Sequence, residues 1–370
     1  MALTKIKLGK YIELFSQKCN IPNLTNDQVS GVNKEKEFFE PSTQVGGDTS
    51  KYKIVPPNYF ACNLMHVGRD VVLPIAYNHS GKNKIVSPAY FVFKFIENDE
   101  LLSDYFFIFL KSAERDRYFW FHTDGSVRDG MSWEDFIDVE IELPPMDIQR
   151  KYVEIYNGMV DNQLSYQAGL EDLFLTCQGF IERAKKMYPS DIIGNYISFF
   201  EEKNKDNAIT LEQGINIKKE FITPQRSNSD LSNRKIVRSG QFAFCTQLNN
   251  ENVAIAFRRD EDCVVSSVYN VFEITKKELL LNEYLMLWLI RPEFGRFVYW
   301  ASVGSAYEFL SNESIINYQI PIPPIEVQQN IADIYNAYLM RREINEQLKQ
   351  QIKIICPVLI KGAVEEAKRS

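Results

Sequence analysis

The 370-residue sequence has no apolar run of 18 residues, so it offers no helix that would span a bilayer. Its first 15 residues mix charges with apolar side chains and carry no small-residue cleavage site, so they are not read as a secretory signal. Histidine is scarce (His66, His79, His122), and the six cysteines (Cys19, Cys62, Cys177, Cys245, Cys263, Cys356) include no Cys-x-x-Cys pair. Neither set has zinc spacing, and free thiols in a reducing cytoplasm are expected. Gly-rich phosphate loops, Walker sequences and dinucleotide fingerprints are missing too. Positive charge is short: 42 basic against 49 acidic residues give a net charge of −7.

What is present is ordinary globular composition, with 45% hydrophobic and 25% charged residues. The length suggests two domains, or three. The chain also repeats itself. Residues 125–157 and 304–336 align without a gap at a shift of 179, with 12 identities in 33 positions. These include Gly125-Ser126/Gly304-Ser305, Ser132/Ser311, Pro144-Pro145/Pro323-Pro324 and Gln149/Gln328. Upstream, with small gaps, LGKYI from Leu8 matches IGNYI from Ile193, and GVNKEKEF from Gly31 matches GINIKKEF from Gly214. KIV recurs from Lys53 and Lys235, SPAYFVF from Ser87 matches SSVYNVF from Ser266, and LLSDYFFIFL from Leu101 matches LLNEYLMLWL from Leu280. One unit is used twice.

Each unit opens with short β-branched and aromatic runs (KYKIV, VVLPIAY, YFVFKF; KIV, VAIAF, YNVFEI) that predict strands of a mixed sheet. A compact, densely apolar helix is expected over 101–121 and again over 280–300. Next come two prolines, placed for a first helical turn, and a long helical pattern. In the first, Val153, Tyr156, Val160, Gln163, Gln167, Leu170, Phe174, Cys177, Ile181 and Ala184 keep heptad spacing. That predicts a helix from Met146 to Tyr188, about 60 Å long. The second seam runs Ile334, Tyr338, Arg341, Asn345, Leu348, Ile352, Ile355, Leu359, and Pro357 is expected to kink or end it. Each seam has two adjacent polar positions, which fix register at some loss of stability. If the helices pair, they are antiparallel and relate the repeats by a pseudo-twofold. The alternative is that each docks on its own domain.

Catalysis finds little support. VPPNYF (55–60) lacks the Asp or Asn that an amino-methyltransferase needs before Pro-Pro, and the second repeat reads VRSGQF at 237–242. No nucleophile–base pair or carboxylate pair recurs between the repeats.

The duplicated GS-x6-S…P-P-x-(D/E)-x-Q junctions, each running into a long helix, resemble those of the specificity (S) subunit of type I restriction–modification enzymes, and the likeness extends over essentially the whole chain. The stretch KYKIVPPNYFACNLMHVGRDVVLPIAY also looks like that family's recognition core. The resemblance implies an α+β fold with two similar mixed α/β target-recognition domains (1–145 and 190–324) separated by two long antiparallel coiled-coil helices (146–189 and 325–370). It implies that each domain reads one half of a bipartite sequence in double-stranded DNA, while the helices set the gap. It also implies two adenine-methyltransferase (M) subunits docked on the helices and nuclease/translocase (R) subunits joining them. The chain itself would be non-catalytic and without a cofactor, S-adenosylmethionine being held by the M subunit. A type IIB-like system uses a similar chain, and a duplicated adaptor that binds protein rather than DNA is the rival reading.

The charge divides as −4, −1, −3 and +1 over residues 1–150, 151–190, 191–324 and 325–370. No segment would hold DNA tightly by phosphate neutralisation alone. Weak binding by the lone chain is expected, with the M subunits clamping the duplex. Candidate contacts come from local clusters of residues able to pair with base edges or phosphates. In the first domain they are Lys51, Lys53, Asn63, His66, Arg69, His79, Lys82, Lys84, Ser126 and Arg128. In the second they are Arg234, Lys235, Gln247, Asn249, Asn250, Arg258, Arg259, Ser305 and Tyr307. The Gly-Ser loops stand out because the residues after them diverge (VRDG, AYEF), as two different half-sites require. The abundant aromatics are read as core. Apolar residues off the helix seams (Leu164, Leu173, Leu175, Phe180, Ile344, Ile354, Val358) predict a docking face for partner helices.

Overall fold

The computed structural model describes residues 3–42, 45–123, 130–225, 230–248, 252–302 and 309–369, apart from the side chains of His66 and Arg69. The chain forms two compact units, residues 1–165 with 345–370 and residues 166–344. Each unit therefore holds one repeat together with part of both long helices.

In the first unit a four-stranded sheet runs in the order Ile12–Phe15, Phe91–Phe95, Phe60–Cys62, Ile75–Tyr77. Three strand pairs flank it: Thr4–Lys7 with Glu140–Leu143, Gly31–Val32 with Phe38–Phe39, and Lys53–Val55 with Lys84–Val86. The second unit repeats the scheme, with Ile197–Phe200, Tyr269–Ile274, Phe242–Cys245 and Ile255–Phe257 in the same order. Every pairing between described strands is antiparallel, which corrects the expected mixed sheet. The units lack the long helical crossovers that parallel neighbours require between adjacent strands.

Register brings equivalent aromatics together. Phe60 lies opposite Phe93 and stacks on it at 5.0 Å and 5°, while Phe242 lies opposite Phe272 at 4.9 Å and 4°. Against this face pack Tyr105–Leu110 in one unit and Tyr284–Leu289 in the other, all buried. Each expected compact helix is in fact two, Ser103–Leu110 with Ala113–Phe121 and Asn282–Leu289 with Pro292–Ser302. Ser112 causes the first break: it is extended, and its hydroxyl accepts from the Arg115 N–H, which starts a new helix. Pro292 occupies the first turn of its helix, where a missing N–H is tolerated.

The repeated sequence motifs now have physical causes. Gly9 approaches Ile137 so closely that a Cβ would sit 3.0 Å from its side chain, and Gly194 is tighter still against Ile316. The Tyr90 hydroxyl accepts from the Val32 N–H at 3.1 Å, as Tyr269 does from Ile215. Ser132 and Ser311 cap equivalent helices. Gln149 is fully buried: its carbonyl accepts from Leu102 N–H, and its amide donates to Glu100 O and Pro144 O. Gln328 makes the same three bonds, to Leu281 N–H, Leu279 O and Pro323 O. The last residue of the Pro-Pro motif thus ties the helix start to the segment before the compact helices.

The long helices run Met146–Met187 and Ile325–Arg369, 42 and 45 residues. In the first unit Lys151 meets Glu366 at 2.9 Å, and Gln163 donates to Asn345 at 2.9 Å in a buried pair. In the second, Arg341 lies 4.7 Å over the Tyr166 ring above Gly169, and Phe174 meets Tyr338 at 5.5 Å. Within each unit one number rises as its partner falls, so the paired stretches are antiparallel. They also join the domain cores: Val153, Tyr156, Cys356, Leu359 and Ala363 in the first, Cys177, Ile181, Ile331 and Tyr335 in the second. Pairing and docking on the domain, posed as alternatives, both occur. Gln167 is exposed.

Pro357 does not end its helix. An interior proline costs about 3 kcal/mol. Burial of Cys356, Leu359, Ala363 and Ala367 against the first core offsets it.

Candidate nucleic-acid interface

Lys53 and Lys84 lie on one flanking strand pair of the first unit, and Lys235 lies on the equivalent pair of the second. Several candidates turn out to be part of the scaffold. Lys53, on the Lys53–Val55 strand, donates to Tyr90 O at 2.6 Å, and burial lowers its pKa. Its counterpart Lys235 donates to Asn270 at 3.1 Å and is 12% exposed. Asn63 is buried, and its side chain caps the turn that follows by accepting from Met65 N–H. Arg258 is buried as well, held by Glu261 O and Gln213 at 2.6 Å each and lying over Phe221. Each of these four side chains is held inside its unit, so each departs from the expected free surface contact.

A second group is partly engaged. Arg234 meets Glu212 at 2.7 Å, and with Lys235 it lines an open cleft shared with Glu201, Lys203 and Asp230. Arg259 donates to Glu283 at 3.2 Å and Asn336 at 3.1 Å. His79 faces Asp104 at 3.6 Å, with Tyr77 and Phe107 against its ring. Partial burial lowers its pKa although Asp104 pulls the other way.

Lys51, Lys82 and Gln247 are exposed, and Lys84 is half-buried. Lys82 follows an ordered turn in which Asn78 donates to its carbonyl at 3.0 Å. Ser126, Arg128, Asn249, Asn250, Ser305 and Tyr307 lie outside the described residues, as do the side chains of His66 and Arg69. The first unit therefore offers Lys51, Lys82 and Lys84 to a polyanion, whereas the described arginines of the second are largely matched by acids. Arg238, not a sequence candidate, shows this: it bonds both Glu202 and Asp262.

Sequence reasoning missed two aromatics. Phe121 and Trp300, 179 positions apart, are 81% and 75% exposed, although aromatics were read as core. Of the off-seam apolar residues, Leu164, Leu175, Phe180, Ile354 and Val358 are exposed as expected, while Leu173 and Ile344 are half-buried. Among the described residues no group of His, Cys, Asp or Glu could hold a metal ion, and no helix is long and apolar enough to cross a membrane.

Residues 191–354 match the family model of the type I restriction modification DNA specificity domain. The resemblance read from the duplicated junctions is borne out. The fold is similar to that of the type I restriction–modification system S subunit from M. genitalium, at 13% identity over 98% of this chain and 96% of that one, with a TM-score of 0.51. The HsdS subunit from Thermoanaerobacter tengcongensis also matches, at 14% identity over 98% and 96%, with a TM-score of 0.40. No curated protein matches the chain in sequence.

Proposed function

We propose that this chain is the DNA-recognition subunit of a type I restriction–modification complex in the cytoplasm, each repeat reading one half of a bipartite target in double-stranded DNA. The observation that carries this is the family match over residues 191–354, joined to a first repeat with the same strand order and the same buried glutamine joint. The chain performs no chemistry in this reading. Two adenine-methyltransferase subunits, which hold S-adenosylmethionine, dock on exposed apolar residues of the long helices such as Leu164, Leu175, Ile354 and Val358. Nuclease/translocase subunits join that assembly.

The low positive charge supports weak binding by the chain alone, with the methyltransferases adding the field that holds the duplex. The paired helices act as the ruler between half-sites. Inserting one heptad into each helix should part the half-sites by roughly 10 Å, about 3 bp of duplex. Methylome sequencing of a host carrying the chain and its methyltransferase should give unchanged half-sites with a longer gap. An unchanged gap removes the ruler, and the absence of any bipartite motif from the wild type removes the function.

A further inference from the structure

Phe121 and Trp300 are the two most exposed large hydrophobic side chains among the described residues, and they occupy equivalent positions in the two repeats. Scattered exposed apolar residues need no explanation. Two at the same place in a duplicated unit do, because the position stays a bare ring in both units although its identity changed from Phe to Trp. Each ring sits at the end of the second compact helix, four residues before the Gly-Ser pair in sequence.

The helix geometry adds a cation. Arg117 precedes Phe121 by four residues, and Arg296 precedes Trp300 by four. Residues four apart share a helix face, about 5–6 Å between Cβ atoms. Both arginines are exposed, Arg296 at 56% beside Glu293. Each unit thus carries R-x3-(F/W) on one face of its second compact helix, with the arginine and the ring both exposed, and the sequence continues x3-G-S. A guanidinium pairs with phosphate, and an aromatic ring beside it can press on bases or wedge between base steps. A purely apolar protein partner would have no use for the accompanying cation at both sites.

We propose that Phe121 and Trp300 are the apolar DNA contacts of their units, each set beside a phosphate-binding arginine, Arg117 or Arg296. The proposal rests on the DNA-recognition reading above. It gives this acidic chain a sequence-tolerant grip that does not depend on net charge.

The test uses the full chain assembled with its methyltransferase, with methylation of the bipartite motif as the readout. Phe121→Ala and Trp300→Ala should each lower the methylation rate about tenfold or more. Melting temperature should not change, since so little of either ring is packed. Phe121→Trp, which installs the ring of the other unit, should restore much of the rate that Phe121→Ala loses, and Arg117→Ala should flatten the salt dependence. Alanine variants that methylate like the wild type overturn the proposal. So do alanine variants that no longer co-purify with the methyltransferase, because the face would then bind protein. A wild-type assembly that methylates no bipartite motif defeats the DNA reading itself, a distinguishable failure.

Discussion

The two repeats differ in how they hold a lysine that points inward from an equivalent hairpin. Lys36 and Lys219 hold the same place in equivalent hairpins, both with φ of 64°. Both hairpins close alike, with the lysine N–H donating to the carbonyl of Asn33 or Asn216. Lys36 then reaches Asp116 at 2.6 Å and Leu73 O at 2.9 Å. In the second repeat the position of Asp116 is taken by Gly295, and the Lys219 ammonium donates to Leu289 O with Phe294 at 5.5 Å. Burial then pushes its pKa down to about 8. A lysine cation is thus kept in both units, buried against a countercharge in one and half-buried against a carbonyl and a ring in the other. The backbone of the hairpin is what the duplication preserved, and the electrostatics around it were free to drift.

The feature that did not drift should give the largest effects. Gln149→Leu and Gln328→Leu each strip three backbone groups of their partner, one buried and two partly buried, and should lose about 3 kcal/mol in denaturant unfolding. The two losses should be alike, and a large gap between them would break the equivalence of the joints. Next, Lys36→Met leaves Asp116 half-orphaned and should destabilise the first unit by about 3 kcal/mol.

Lys219→Met should go the other way, adding about 1 kcal/mol at pH 7 after the lost bond to Leu289 O is counted. Between the folded value of about 8 and the ordinary 10.5, the unfolded chain holds more protons than the folded one. Wild-type stability contributed by Lys219 therefore rises across that window. The advantage of the methionine should be full below pH 8, cancel within about one pH unit above it and reverse as pH approaches 10.5, as melting curves in buffers across that range will show. The same sign of change for Lys36→Met and Lys219→Met would erase the contrast.

The smallest effect tests the surfaces. Lys82→Ala should leave stability unchanged and reduce the slope of log affinity against log salt by about one in DNA titrations of the assembly. Arg234→Ala should act mainly on stability, because it removes the ion pair with Glu212, which is 8% exposed.

Much of the fold was legible in sequence because it depends on periodicity and punctuation. The long helices begin within a residue of the Pro-Pro steps, since a proline can stand where no intrahelical donor is needed. Helix breaks were harder to read. Ser112 ends one element because its hydroxyl finds an N–H three residues on, a choice the apolar run around it conceals. Pro357 misled in the opposite sense, because neighbouring side chains buried on one face hold the helix through it. The candidate interface was less legible. Lys53, Lys235 and Arg258 have the chemistry of contacts but are held by neighbours distant in sequence, and Asn63 is engaged by its own turn. The R-x3-aromatic-x3-GS repeat was there to be found, yet an aromatic beside buried aromatics reads as core until its exposure is known.

The sequence by itself determined that one unit occurs twice, where its long helices start, and that no recurring catalytic set is present, because these are matters of spacing and residue type along the chain. Only the tertiary structure decided which cations are free, which glutamine holds the joint, and which ring stands in water. Those depend on partners 22 to 182 positions away, whose approach is set by packing rather than by any local pattern.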